Sequence, residues 1–416
     1  MTDTITKGTP DTAPAPIGAH VRDYMGRVRG GDVGALPAIL GLVILCTVFT
    51  VLRPVFLSAG NFANLFTQGA AVTVIAMGLV FVLLLGEIDL SAGFASGVCA
   101  AVLAVLLTGH GWPWYASVLA ALLTGAVIGL VLGVLVAKLG VPSFVVTLAG
   151  FLAFQGVVLM LIHEGSNISI RDRTILSIAN DNVPPLLGWI ILVVGVAGYA
   201  GVQLWRARGR VRRGLVADSM SLIALRVVLV TVVAGVAVWV LNLERSRNAI
   251  VVSLKGVPIV VPVIVVLLIG WTFVLRRTAY GRHIYAVGGN REAARRAGIN
   301  VDRIRISAFV ICSAMAAVGG IIAASRANSV DPNTGGSNVL LYAVGAAVIG
   351  GTSLFGGKGR VLDAILGGAV VAVIDNGMGL MGYSAGVKYV VTGLVLLLAA
   401  GVDALSRKRA AATGLR

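Results

Sequence analysis

Charge is scarce in this chain, and negative charge scarcer still. Only 12% of the 416 residues are charged, with 17 acids against 33 Lys and Arg. A soluble domain carries about a quarter charged residues. That shortage, with 58% apolar residues and a mean hydropathy of +0.97, excludes a soluble globular fold. The three cysteines, Cys46, Cys99 and Cys312, fall in apolar runs without metal-ligand spacing. Neither a metal site nor a disulfide framework is indicated. There is no paired base and nucleophile; His163 stands near the end of an apolar run and His283 in a basic loop. These absences set aside a membrane enzyme. The net charge of +16 comes from bases in short loops beside apolar runs. There Lys and Arg fix topology, so no nucleic-acid partner is expected.

What is present is length of apolar run. Twelve candidate spans follow one another at 36–57, 70–86, 90–108, 114–137, 143–163, 184–205, 222–241, 257–276, 303–325, 338–350, 360–381 and 386–405. About 20 apolar residues cross a hydrocarbon core of about 30 Å. The expected fold is therefore an all-α integral membrane bundle of about 12 spans embedded in lipid. The tenth run is short and Gly-rich, which suggests a broken or re-entrant helix. A ten-span count that drops 184–205 and 222–241 leaves two strongly apolar runs unexplained. The first run is too long for a signal peptide and is expected to stay as a span.

Residues 1–34 read as a polar N-terminal tail, 35–405 as the membrane domain and 406–416 as a basic C-terminal tail. Lys and Arg concentrate in loops 206–221 and 276–305 and in the C-terminal Arg407, Lys408 and Arg409. The positive-inside rule then places both termini in the cytoplasm. Segment 242–256 fits badly, because Arg245, Arg247 and Lys255 oppose only Glu244 on the outer side. Gly125, Gly129 and Gly133 form a doubled G-x-x-x-G, a face for close helix approach. Trp112, Trp114 and Tyr115 cluster at a span end, where amphipathic rings favour the interface.

Polar or Gly-rich breaks inside apolar sequence carry the functional information, because irregular backbone at membrane depth must be buried in protein or line a cavity. The first is Gly86-Glu87-Ile88-Asp89-Leu90-Ser91-Ala92-Gly93. It reads either as a tight turn with Asp89 or Ser91 capping the next helix, or as a discontinuous helix beside a transport path. The second runs from Gly350 to Gly359 and includes Gly351, Thr352, Ser353, Phe355, Gly356, Gly357 and Lys358. It approaches a phosphate-binding loop but has Thr352 where the first Gly belongs and Gly359 where Ser or Thr belongs. No nucleotide site is expected. Aligning Gly86 with Gly350 pairs Leu90 with Leu354 and Gly93 with Gly357, a hint of duplicated halves. Asp375-Asn376 lies deep in the eleventh run with no evident base nearby, and both a structural and a functional role stay open. Finally, Arg291–Ala297 reads as a short basic helix with an Asn290 cap and a Gly298 stop. Its small face of Ala293, Ala294 and Ala297 suits docking into a groove on a partner.

Several of these segments resemble the membrane subunits of bacterial sugar-importing ABC transporters, the ribose, galactose, arabinose and xylose permeases. They are Asn61–Gln68 with Asn64 between, the Gly86–Gly93 motif, Tyr285–Ile299 with Gly288 and Gly289, Gly350–Gly357, and Asp375–Gly377. The likeness covers about residues 55–165 and 257–405. The Gly86-Glu87 start, the Asp375–Leu380 run and the insert 166–256 are most similar to xylose-type permeases. The resemblance implies a non-catalytic, multi-pass subunit of the cell membrane without cofactor. It implies a path for a monosaccharide, a pentose such as xylose, formed with a second permease chain. ATP would be hydrolysed by a separate ATP-binding subunit, and an extracytoplasmic sugar-binding protein would deliver substrate. Glu292-Ala293-Ala294 with Gly298 resembles the EAA-x-x-x-G coupling motif of ABC permeases, although the usual extension beyond its Gly is not evident. The alternative is an ion-coupled secondary transporter of a small polar solute, with Asp375 and the Glu87–Asp89 pair as the candidates for its coupling site.

Overall fold

The computed structural model describes residues 34–215, 219–246 and 253–412, together with Gly26. Most of the expected tail 1–34 and the residue Arg247 lie outside the described residues. The fold is all-α, with only four two-residue strands among the described residues. In chain order the helices are α1 (Leu36–Leu52), α2 (Ala59–Leu84), α3 (Ala92–Ala104), α4 (Trp114–Ala137), α5 (Ser143–Leu161) and α6 (Arg173–Asn180). There follow α7 (Pro185–Arg212), α8 (Met220–Leu241), α9 (Val260–Arg277), α10 (Ala279–Gly289), α11 (Arg291–Arg296) and α12 (Val301–Ala327). The chain closes with α13 (Ser337–Ile349), α14 (Val361–Leu380) and α15 (Ala385–Ala412). All twelve expected spans are helical; among the described residues ten are long and apolar enough to cross a membrane, α3 by way of a π-helical turn that carries it to Gly109, and α1 and α13 are shorter. The two apolar runs of the insert, α7 and α8, are both helices and both count among the ten.

Some boundaries move for physical reasons. α2 begins eleven residues before the expected 70. Its polar first turns read as loop, yet Ser58 caps them by accepting from the Asn61 N–H, and neighbours satisfy Asn61 and Gln68. The expected loop 206–221 begins only after Arg212, so Arg206, Arg208 and Arg210 stand on helix α7. α15 likewise runs through the expected basic tail to Ala412.

Small residues let the core close, as they must where lipid supplies no hydrophobic drive between helices. The doubled G-x-x-x-G of α4 is the close-approach face expected: a Cβ on Gly129 would lie 2.4 Å from the Phe309 carbonyl of α12, and one on Gly125 2.6 Å from that of Ser313. Gly78 of α2 meets Met315 and Cys312 of α12 in the same way, and Gly69 meets Ala372 of α14. Helices α2, α3, α12 and α14 form the buried centre, while α7, α8 and α15 show mostly Val and Leu to their surroundings.

The insert closes one end of the bundle. Strand β1 (Ile168–Ser169) pairs antiparallel with β4 (Ser329–Val330), and β2 (Asn182–Val183) with β3 (Val257–Pro258). Asn180 of α6 donates to the Ser325 carbonyl at the end of α12, 2.7 Å away. The misfitting segment 242–256 is explained here. Arg245 spends its guanidinium on the carbonyls of Leu241 and Gly256. Glu244 accepts from the N–H groups of Arg245, Ser246 and Leu254 and from the Ser253 hydroxyl, and pairs with Lys255 at 3.9 Å. Those bonds hold the Glu244 carboxyl down at about 2, the Ser246 and Leu254 amides contributing most. Arg245 is thus committed to the loop's own backbone and Lys255 to Glu244, so these two cations carry little topological information.

Candidate functional site

At the end of the bundle opposite the insert, three distant segments meet. Helix α2 stops at Leu84, and residues 85–91 continue as irregular backbone before α3 starts at Ala92. Glu87, Asp89 and Ser91 are all buried. The polar backbone survives burial because side chains complete it. The Ile88 N–H donates to Ser143 Oγ and the Ile88 carbonyl accepts from Thr147 Oγ1, at 3.4 and 3.2 Å, both from α5. Asp89 Oδ1 accepts from the amide and hydroxyl of Ser91, at 2.9 and 2.6 Å. Ser91 stands at the N-cap of α3 but makes no side-chain cap bond, its hydroxyl going to Asp89 instead.

The second break packs on the first. The Gly357 N–H donates to the Leu84 carbonyl at 2.8 Å. Gly86 (φ +69) lies against Phe355 O, and Gly356 (φ +84) is enclosed by Gly288 O, Gly86 N and Leu84 O. A Cβ on Gly288 would stand 1.9 Å from the Leu84 carbonyl. Ser353 and Thr352 are buried beneath this turn, Phe355 is 68% exposed, and Gly351 (φ +116) points away toward Gly34. The proposed internal repeat is not matched in backbone: Gly86 is left-handed whereas its aligned Gly350 is right-handed helical, and Gly93 is helical whereas Gly357 has φ +73. The breaks touch one another and are not copies in conformation.

The short basic helix α11 is built as its sequence requires. Asn290 accepts from the Ala293 N–H at 2.9 Å. At its end Gly298 (φ +82) turns the chain, with the Ile299 amide on the Ala294 carbonyl and the Gly298 amide on that of Arg295. This is a glycine C-terminal motif that satisfies otherwise orphaned carbonyls. Its expected docking face needs correction. Ala294 is buried against the protein, whereas Ala293, Ala297, Gly289 and Glu292 are exposed. The helix has only six residues, so its inward face must take one alanine of the three. Gly288 belongs to the buried junction and not to that outward face.

Arginines tie α11 and α12 to the first break. Glu87 Oε1 accepts from Arg305 Nη2 at 2.6 Å and Nε at 3.0 Å, and from Arg291 Nη2 at 2.7 Å. Arg291 also donates to the Leu85 carbonyl. The Arg305 side chain is 14% exposed and that of Arg291 45%. In sequence Arg291 reads as the first residue of the short basic helix, and Arg305 carries no signal of its own. A buried acid needs a partner, so Glu87 itself was the available signal.

A second cluster lies between α2, α14 and α15. Asn61 and Asn376 exchange reciprocal amide bonds of 2.9 Å each, and Asn376 Nδ2 also reaches Gln68 Oε1 at 3.2 Å. Gln68 Nε2 donates to Asp375 Oδ2, and Lys388 Nζ of α15 to Asp375 Oδ1 at 3.2 Å. The base that Asp375 lacked in sequence is Lys388, a lone cation in an apolar run that warranted notice by itself. Asn64 is exposed and stands outside this network; Gly93 packs on Gly335 and Leu340 instead.

A bundle of twelve apolar helices, interrupted by buried irregular backbone and knit by intramembrane polar groups, defines a multi-pass membrane permease. The profile described as branched-chain amino acid transport system / permease component matches residues 61–400, and the chain belongs to that family. It is 39% identical over 358 residues to the xylose transport system permease protein XylH of Escherichia coli (strain K12), covering 85% of this chain and 87% of the relative. The Haemophilus influenzae XylH is 32% identical over 89% of this chain and 96% of its own length. The ribose import permease protein RbsC of Escherichia coli (strain K12) is 31% identical over 88% and 92%. No solved structure matches.

Proposed function

We propose that the chain is the membrane subunit of an ABC-type monosaccharide importer, and that its sugar is a pentose of the xylose kind. The supporting observation is the 39% identity to a xylose permease across 85% of the chain. The basic end with α10 and α11 is cytoplasmic, as are both termini. The exposed side of α11, with Ala293 and Ala297, receives a separate ATP-binding subunit that performs the hydrolysis. An extracytoplasmic sugar-binding protein delivers substrate at the insert end, and a second copy of the chain completes the path.

The arrangement supports this division of labour mechanically. Glu87 joins Arg291, the first residue of α11, to the irregular segment before α3, and Gly288 joins α10 to both breaks. Movement of α11 therefore reaches two interrupted segments as a rigid-body displacement. The polar groups of Asn61, Gln68, Asp375 and Asn376 supply hydrogen-bonding capacity suited to a polyhydroxylated solute. Asp375 is held by Gln68 and Lys388, an arrangement that favours a fixed polar network over a carboxylate that cycles a coupling ion.

The test is uptake of labelled xylose by vesicles carrying this chain with its ATP-binding and sugar-binding partners. ATP-dependent uptake that ends when the ATP-binding subunit is withheld is the expected result. Uptake driven by an ion gradient with no such subunit would establish the secondary-transporter reading instead. ATP-dependent uptake of branched-chain amino acids but not pentoses would overturn the sugar assignment.

A further inference from the structure

At the basic end a cavity of 980 Å³ opens between the last turns of α7, the junction of α9 with α10, and the Gly357–Arg360 turn. Arg206, Arg276, Arg277, Arg282, Lys358 and Arg360 line it. Among the described residues the only acid in its lining is Asp363, which already holds Arg360 at 2.8 Å. The rest of the wall includes Leu36, Ile39 and Leu275. The cavity is thus strongly cationic with an apolar margin, the chemistry of a phosphate carried on an acyl chain.

Its position favours that source. The α7–α8 hairpin meets the core at the insert end, where Gly188 packs on Val257 and Leu241 on Ala63. Toward the basic end the space between α7 and α9 becomes this cavity. Trp205, 73% exposed, directly precedes Arg206. Indole rings concentrate at headgroup level in a bilayer, and basic pockets between helices at that level bind phospholipid headgroups. We propose that the cavity between α7, α9 and the Gly357–Arg360 turn is a binding site for an anionic phospholipid headgroup, with room and charge for two phosphodiesters. The lipid would fill the space between the inserted hairpin and the core. It would also stand beside the Gly357 turn that packs on Leu84, so lipid composition would reach the buried junction.

The experiment is native mass spectrometry of the full-length purified chain in detergent, titrated with cardiolipin, phosphatidylglycerol or phosphatidylcholine. The wild type is expected to retain cardiolipin in preference to phosphatidylcholine. The R206A/R277A variant should lose about thirtyfold in cardiolipin affinity, from about a tenfold factor or less for each arginine near the phosphate. R206K should keep most of the affinity. The control R208A/R212A, which changes the same helix outside the cavity, should bind as wild type; both variants are exposed changes expected to fold, checked by their elution profiles. Equal affinity of R206A/R277A and the control would overturn the proposal. So would displacement of the lipid by millimolar inorganic phosphate, which would make the site one for a soluble anion. Loss of affinity for the ATP-binding subunit in R206A/R277A, with lipid retention unchanged, would assign the cavity to that protein and equally overturn it.

Discussion

A single oxygen of Glu87 lies 2.6 Å from Arg305 and 2.7 Å from Arg291, so one buried carboxylate fixes both the helix that enters the bundle and the short helix that precedes it. The two arginines differ in burial, and that difference makes the arrangement testable. Removing one partner of a buried ion pair costs about 3–5 kcal/mol, because the other charge is left uncompensated. An exposed pair is worth about 1 kcal/mol or less. E87A and R305A should therefore lower thermal stability strongly, and R291A much less. Thermal unfolding in detergent measures this; equal effects of R305A and R291A would contradict the burial argument.

Adjacent glycines in α10 should separate close packing from exposure. G288A places a Cβ 1.9 Å from the Leu84 backbone carbonyl, which cannot yield without moving α2. G289A meets nothing within 4 Å. G288A should abolish ATP-dependent uptake even where protein reaches the membrane, while G289A should leave uptake within about twofold, a difference of about 0.4 kcal/mol. Normal uptake by G288A would remove the junction from the mechanism.

Asp375 and Lys388 should behave as a pair. D375N leaves Lys388 facing a neutral amide, and K388M leaves Asp375 held only by Gln68. The double variant is expected to cost about 0.5–3 kcal/mol less than the sum of the two single changes. A double-mutant cycle on D375N/K388M measures that coupling. Additive effects would mean that the two charges act independently.

The loop after α8 should be acid-sensitive through one residue. The Glu244 carboxyl is held at about 2 from an ordinary 4.5 by amides that bond its charged form. A depressed value means that the folded loop gains stability above the ordinary value, and loses it as pH falls from there toward 2. The protection factor of the Leu254 amide, its exchange relative to the intrinsic rate at each pH, should therefore fall across that interval. E244Q should show a low protection factor at every pH in that interval; a wild-type profile in E244Q would locate the effect elsewhere.

Much of this architecture was legible in sequence because apolar run length and glycine spacing are local properties. The twelve spans, the α4 glycine face, the Asn290 cap and the Gly298 stop each depend on residues within a few turns. What could not be read was pairing across the fold. Nothing local tells that Glu87 finds Arg305, that Asp375 finds Lys388, or that Ala294 turns inward while Ala293 and Ala297 turn out. The start of α2 was hidden for the same reason. Asn61 and Gln68 look like loop residues until α14 supplies their partners.

The meeting of Leu84, Gly288 and Gly357 also bears on how far these permeases are modular. A segment exchanged between two relatives keeps its internal fit but not its seams. A transplanted 279–299 loop would arrive with its own glycine spacing against foreign backbone at Leu84–Glu87 and Phe355–Gly357. The exchangeable unit is thus discontinuous: three short stretches, scattered over some 270 positions, that travel together or fail together.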